Sequence, residues 1–223
     1  ALKEKYRNNI TIYTGFEADY IENLQRIEQM RFPQTDFIIG GVHFLGCLPS
    51  GRAWECDHSP AFFEQGLHEI FEDKIAKMHK QFFNATNAMI LQKPDIIAHI
   101  DLLKKFNRGN RFFDEFAPEY RNLLYESVEL AAQNEVIIEI NTRGFYKGDF
   151  PSFYPDAETV TFGKTKGALF TISSDTHRAG EFCSGIREAA EMLIACGVSN
   201  IYYKIKGQTI EVALSEYMNK LKA

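Results

Sequence analysis

The chain has 223 residues, with 25 Lys and Arg against 30 Asp and Glu and a formal net charge of −5. That balance, with no basic run, excludes a nucleic-acid surface as the main business, because phosphate-backbone binding demands concentrated Lys and Arg. No uninterrupted apolar stretch of about 18 residues is present, which excludes a membrane-spanning helix and leaves a folded domain of barrel-like length, about 200–250 residues.

In chain order, Ala1-Leu2-Lys3-Glu4-Lys5 carries no Met and no signal-like segment and reads as the middle of a helix, so earlier residues are expected. An apolar, β-rich run over residues 10–16 ends at Glu17, and a second over 37–42 ends at His43. Ser59-Pro60 is a helix cap followed by proline at the first helical position. Phe62, Phe63, Leu67, Ile70 and Phe71 then recur at helical spacing, continuing through Ile75, Met78 and Phe82 toward Leu91 as one long helix. His68 and His79 lie on it among Lys and Glu and read as solvated, while His58, in the loop Trp54-Glu55-Cys56-Asp57-His58, has an open role.

Pro94 precedes a third run, 96–98, ending at His99. Pro118 opens a helix with Tyr120, Leu123, Leu124, Val128 and Ala131 as its stripe. A fourth run, 136–140, ends at Asn141; a fifth, 169–174, ends at Asp175, with His177 two residues on. Ile186, Ala190, Leu193 and Ile194 mark a further helix ended by Gly197, and a sixth run, 201–205, has no polar terminus. Cys47, Cys56, Cys183 and Cys196 show no C-x-x-C spacing and read as free thiols of a reducing, cytoplasmic compartment, the last two as packing residues.

Short, nearly continuous apolar runs indicate strands buried on both faces, hence parallel strands, and their alternation with helices indicates an α/β fold. No repeat or linker divides residues 1–223, so one domain is expected. Parallel α/β barrels carry their chemistry where strands end. Here those ends hold Glu17, His43, His99, Asn141, Asp175 and His177, three of the six histidines among them. Taken singly, a His at a strand end is an ordinary hydrogen-bonding residue and an Asp before a loop is an ordinary cap. Together, imidazoles and carboxylates on one rim suit Zn, Mn or Fe, and the metal ligands expected are Glu17, His43, His99, Asp175 and His177. Asn141 is better suited to a supporting role, since neutral amides bind these metals poorly.

These runs also carry a family likeness. Residues 36–44, 94–101, 139–142 and 174–177, with Lys104-Lys105-Phe106-Asn107 and Gly144-Phe145-Tyr146-Lys147, resemble the motifs of the polymerase-and-histidinol-phosphatase (PHP) superfamily, nearest its histidinol-phosphate phosphatases. The likeness runs from about residue 8 to about residue 205. It implies a distorted seven-stranded (β/α) barrel of PHP type with up to three divalent ions at its rim. It also implies that Glu17 bridges two ions, that His43 and His99 bind one of them, and that Asp175 and His177 are the terminal ligands. Lys105 and Arg143 match the basic residues that hold the substrate phosphate. The family's first-strand His-x-His is missing from this sequence, so the barrel is expected to lack its first one or two β/α units and the chain alone to fall short of a complete enzyme.

The expected activity of the whole protein is metal-assisted hydrolysis of L-histidinol phosphate to L-histidinol and phosphate, a step of histidine biosynthesis. Water activated between ions attacks phosphorus, Arg143 and Lys105 offset charge on the phosphoryl oxygens, and Asp175 and His177 are the catalytic candidates for proton transfer to the leaving group. The partner is thus a small-molecule phosphate ester, whose cationic head Glu55, Asp57 or Glu139 could meet. The rivals are a PHP enzyme acting on another phosphate ester or a phosphodiester, and a non-catalytic PHP-like binding module.

Overall fold

The computed structural model describes residues 2–24, 26–148 and 152–221; Ala1, on which the expectation of a preceding segment turned, lies outside them. After a one-turn helix α1 (Leu2–Lys5), five strands form one all-parallel sheet in the order β1-β2-β5-β6-β7: β1 (Gly15–Asp19), β2 (Phe37–Gly41), β5 (Ile96–Ile97), β6 (Ile137–Asn141) and β7 (Phe170–Ser173). Every residue of β6 is buried, as the continuous Val-Ile-Ile-Glu-Ile run requires of a central strand covered on both faces. The α/β expectation therefore holds, with five parallel strands.

The helices cover the sheet by their apolar stripes. In α2 (Pro60–Glu69), the Ser59 hydroxyl accepts the Phe62 amide at 3.2 Å, which satisfies one donor that the helix itself leaves open. Trp54, fully buried, donates its indole N–H to the Phe62 carbonyl at 2.7 Å and lies against the helix at Gly66, where a Cβ would stand 2.0 Å from the indole. α3 (Ile75–Leu91) packs on α4 (Pro118–Gln133), with Phe82, Phe83, Tyr120, Leu124 and Val128 all buried. Farther on come the short α5 (Arg143–Lys147), then α6 (Ala157–Thr165), α7 (Ile186–Ala195) and α8 (Leu214–Lys220). Asp156 caps α6, accepting the Thr159 amide at 2.9 Å, and holds buried Arg121 of α4 at 2.6 Å.

Several sequence expectations need correction. The first strand begins at Gly15, because Ile10 and Tyr13 stay exposed and only Gly15–Asp19 pairs with β2; Glu17 sits inside β1 rather than beyond its end. The single long helix is two, since Glu72 and Asp73 take left-handed φ angles of 56° and 59° and break the ladder between α2 and α3. His79 is buried against the rings of Phe113 and Tyr120, while His68 is exposed as expected. A small antiparallel pair, β3 (Phe44–Cys47) with β4 (Ala53–Glu55), follows His43. The sixth run does not join the parallel sheet: β8 (Asn200–Ile205) turns through Lys206-Gly207 and pairs antiparallel with β9 (Gln208–Ala213). Cys183 is exposed rather than packed, and Cys196 is half-buried.

Candidate metal centre

All the parallel strands run the same way, so their carboxyl ends share one edge, and a cavity of about 350 Å³ opens there. Its wall includes all seven residues expected to bind metal or phosphate: Glu17, His43, His99, Lys105, Arg143, Asp175 and His177.

Three of them converge. One ligand atom each from Glu17, His43 and His99 lies within 4.8 Å of the other two. The Glu17 carboxylate is 3.3 Å from His99 Nε2 and 3.8 Å from His43 Nε2, and the two rings meet edge to face at 4.8 Å between centroids. Gly41, at the end of β2, makes room for this. A Cβ there would stand 3.2 Å from the His43 ring, 3.3 Å from the His99 ring and 3.4 Å from the Glu17 carboxylate.

Asp175 and His177 form a second group, with His177 Nε2 at 2.9 Å from the Asp175 carboxylate. Asn141 joins the two groups from below. Its side-chain N–H bonds Asp175 at 3.2 Å and Glu139 at 3.1 Å, and Glu139 in turn accepts the His99 amide at 2.8 Å. The supporting role expected of Asn141 is the one its contacts describe.

The electrostatics call for positive charge at this point. His99 is almost completely buried, and burial disfavours an imidazolium, yet the Glu17 hydrogen bond and the charges of Glu139, Glu17 and Asp175 outweigh it and raise its pKa to about 9. Glu17 is held below the usual carboxylate range, first by its hydrogen bond to His99 and then, against burial, by the charges of the three histidines. Burial pushes Glu139 upward. Two imidazoles and a carboxylate with converging ligand atoms, ringed by further carboxylates, are the donor set that a divalent ion such as Zn takes once it displaces the ring proton.

The backbone is strained at two of these residues. His99 and Asp175 have φ angles of 24° and 45°, unfavourable for residues with a Cβ. Each is pinned: His99 by the Glu139 bond, Asp175 by the Ser173 hydroxyl at 3.1 Å and by Arg143, whose Nη1 donates to the Asp175 carbonyl at 2.7 Å. Conformations of this kind cost about 1–3 kcal/mol each and cluster where function requires them.

On the basic side, Lys105 donates to the Asp57 carbonyl at 2.8 Å and to its carboxylate at 3.1 Å. Despite its burial, Asp57 is held below the usual range by the Lys105 charge. Of the three acids offered for a cationic substrate head, Asp57 lines the cavity; Glu139 lies buried beneath His99, and Glu55 pairs with His58 at 3.6 Å. Sequence reasoning missed Asp19, whose carboxylate receives His43 Nδ1 and fixes which ring nitrogen is free to face Glu17. The available signal was strand period: Asp19 follows Glu17 by two and shares its face. Tyr154, also in the wall, was missed as well.

Comparison with known proteins bears on this geometry. Residues 1–143 match the family described as PHP domain. Over 211 residues the chain is 25% identical to a Schizosaccharomyces pombe protein named "Probable histidinol-phosphatase", spanning 92% of this chain and 66% of that one. It is 25% identical over 191 residues to the Bacillus subtilis "Histidinol-phosphatase", spanning 81% and 68%. The chain thus covers about two thirds of the length of these relatives. A crystal structure from Listeria monocytogenes shares the fold with a TM-score of 0.72 at 24% identity, over 84% of this chain and 71% of that one. The Lactococcus lactis histidinol phosphate phosphatase, complexed with Zn, L-histidinol and phosphate, does so with a TM-score of 0.67 at 18% identity, over 94% and 75%.

Proposed function

Because the chain belongs to the PHP domain family, we propose that it is the greater part of a metal-dependent phosphomonoester hydrolase that converts L-histidinol phosphate and water to L-histidinol and phosphate. The observation that carries this is one cavity holding the converging Glu17, His43 and His99 beside two cations, Lys105 and Arg143. The substrate follows from the relatives named histidinol-phosphatase. Residues 1–223 are taken as one PHP-type barrel unit, the five parallel strands contributing to a seven-stranded whole. Four free thiols suit a cytoplasmic setting. No helix among the described residues is long and apolar enough to cross a membrane.

In this scheme Glu17, His43 and His99 hold one divalent ion, and Asp175 and His177 serve further ions of a cluster of up to three, of Zn, Mn or Fe. Bound there, such ions supply Lewis acidity toward water and phosphate. Asp19 and Glu139 orient His43 and His99. Arg143 and Lys105 offset charge on the phosphoryl oxygens, which is the main electrostatic task of phosphoryl transfer. For Lys105 this means exchanging Asp57 for the substrate. Asp175 and His177, hydrogen-bonded to one another, are the candidates for passing a proton to the leaving alkoxide.

The test is phosphate release from L-histidinol phosphate by the metal-loaded protein in its full natural length. Release should stop with a chelator and resume with Zn or Mn. Glu17→Gln should lower both metal content and turnover at least tenfold, roughly the scale of losing a metal-site contact. A metal-loaded protein that releases no phosphate would sink the proposal, and one that binds no metal would favour a non-catalytic module instead.

A further inference from the structure

One carboxylate at the rim gathers partners that the metal ligands do not require. Glu181 ends a single 3-10 turn, Ala179–Glu181, on the loop that follows Asp175 and His177, and its side chain is only 12% exposed. It receives Lys147 Nζ, stands 3.6 Å from Arg143 Nη1, and lies 3.3 Å from the donating His177 amide. The loop folds back on the same residue, since the Thr176 hydroxyl reaches the Glu181 carbonyl at 3.5 Å and the Ser174 hydroxyl at 2.7 Å.

Arg143 is consequently held from several directions. Its backbone amide donates to Asn141 Oδ1 at 2.9 Å, its Nη1 donates to the Asp175 carbonyl at 2.7 Å and to the Tyr146 hydroxyl at 3.4 Å, and the Glu181 carboxylate pairs with that nitrogen's charge from 3.6 Å. Arg143 lines the cavity and Glu181 does not. A carboxylate facing the phosphate would repel it; one that grips the guanidinium outside the wall instead fixes where the remaining N–H donors point. An arginine already held in its binding rotamer also loses less side-chain freedom when the anion arrives.

We propose that Glu181 is a positioning residue: it holds Arg143 against the cavity, so that the phosphate arm of the site is set before substrate enters. The proposal rests on the phosphatase reading for its phosphate subsite. It is tested on binding of inorganic phosphate, which needs no turnover.

With the metal-loaded protein, calorimetric titration of inorganic phosphate should show Glu181→Ala weakening affinity about five- to tenfold, on the scale of one immobilised side chain. Arg143→Ala should weaken it further, and the double variant should bind as Arg143→Ala alone does, because Glu181 acts through Arg143. Lys147→Ala should stay within about twofold of the wild type, which separates positioning from general loop stability. Should Glu181→Ala melt early, the isosteric Glu181→Gln carries the same test, with a smaller loss expected. Wild-type affinity in the Glu181 variants, multiplying losses in the double variant, a Lys147→Ala loss equal to that of Glu181→Ala, or a wild type that binds no phosphate would each overturn the proposal. Phosphate binding with no hydrolysis of L-histidinol phosphate would instead unseat the phosphatase reading and leave the role of Glu181 standing.

Discussion

Two buried imidazoles show how completely the neighbours decide what a histidine is for. His99, among Glu17, Glu139 and Asp175, is raised to about 9. His79, 5% exposed between the rings of Phe113 and Tyr120 and with no hydrogen-bond partner for Nε2 among the described residues, is lowered by burial to about 4. The unfolded His79 takes up a proton below about 6.5 and the folded one only below about 4, so between those values the unfolded state binds more protons. Its contribution is therefore complete above pH 6.5 and is lost as pH falls toward 4, a change of about 3 kcal/mol over the window. In His79→Phe, the difference between variant and wild-type unfolding free energies should shift by about that amount between pH 6.5 and pH 4; parallel pH profiles would refute it. The sequence did contain the clue. His79 stands at helical spacing with Phe83, Thr86 and Ile90, all buried, but Lys77 and Lys80 beside it in the chain masked the face it belongs to. Glu17, His43 and His99 were legible because each lies at or near the end of an apolar run, whereas Glu139, inside one, read as an acid for the substrate's cationic head and is instead buried, holding the His99 amide.

Among the elements, α2 shows which of two opposed effects prevails. Alanine is favoured over glycine in a helix by about 1 kcal/mol. At Gly66, however, the new methyl would stand 2.0 Å from an indole that is fully buried and pinned by its own hydrogen bond to the same helix. Overpacking of this kind costs about 1–3 kcal/mol, and more where the neighbour cannot yield. Gly66→Ala should therefore lower the urea midpoint, and a stabilised variant would show that Trp54 can move. The helix starts at Pro60 and Pro118 were readable because caps and prolines act locally. The break at Glu72 and Asp73 was not, since two left-handed residues of ordinary type leave no compositional mark. Nor was the β8–β9 hairpin, because an apolar run looks the same in either strand direction; only the Lys206-Gly207 pair, both at positive φ, pointed to a tight reversal.

Over the whole molecule, the ligand set clamps the carboxyl ends of three neighbouring strands: Glu17 on β1, His43 just after β2 and His99 just after β5. An ion bound by Glu17, His43 and His99 should tie these to the folded state alone and raise stability by about 2.7 kcal/mol at a hundredfold excess over its dissociation constant. Thermal melting with and without Zn or Mn should show the rise, Glu17→Gln should abolish most of it, and an unchanged midpoint would count against the site. The α/β class, the parallel order and the shared edge were legible because they follow from apolar patterning and from the rule that parallel strands end together. How many strands a sheet takes is not a property of any single run.

The all-parallel sheet has a consequence for how the molecule comes into being. Gly15 pairs with Phe37, Ile39 with Ile96, Ile96 with Ile137, and Ile138 with Phe170, so each ladder must close over about twenty or more intervening residues. Such closures are slow, because chain entropy is lost before any contact repays it. During synthesis, the pocket's first acid waits on the ribosome for partners made much later, and the complete cavity exists only after His177 has emerged. The chemistry is thus among the last things this chain acquires.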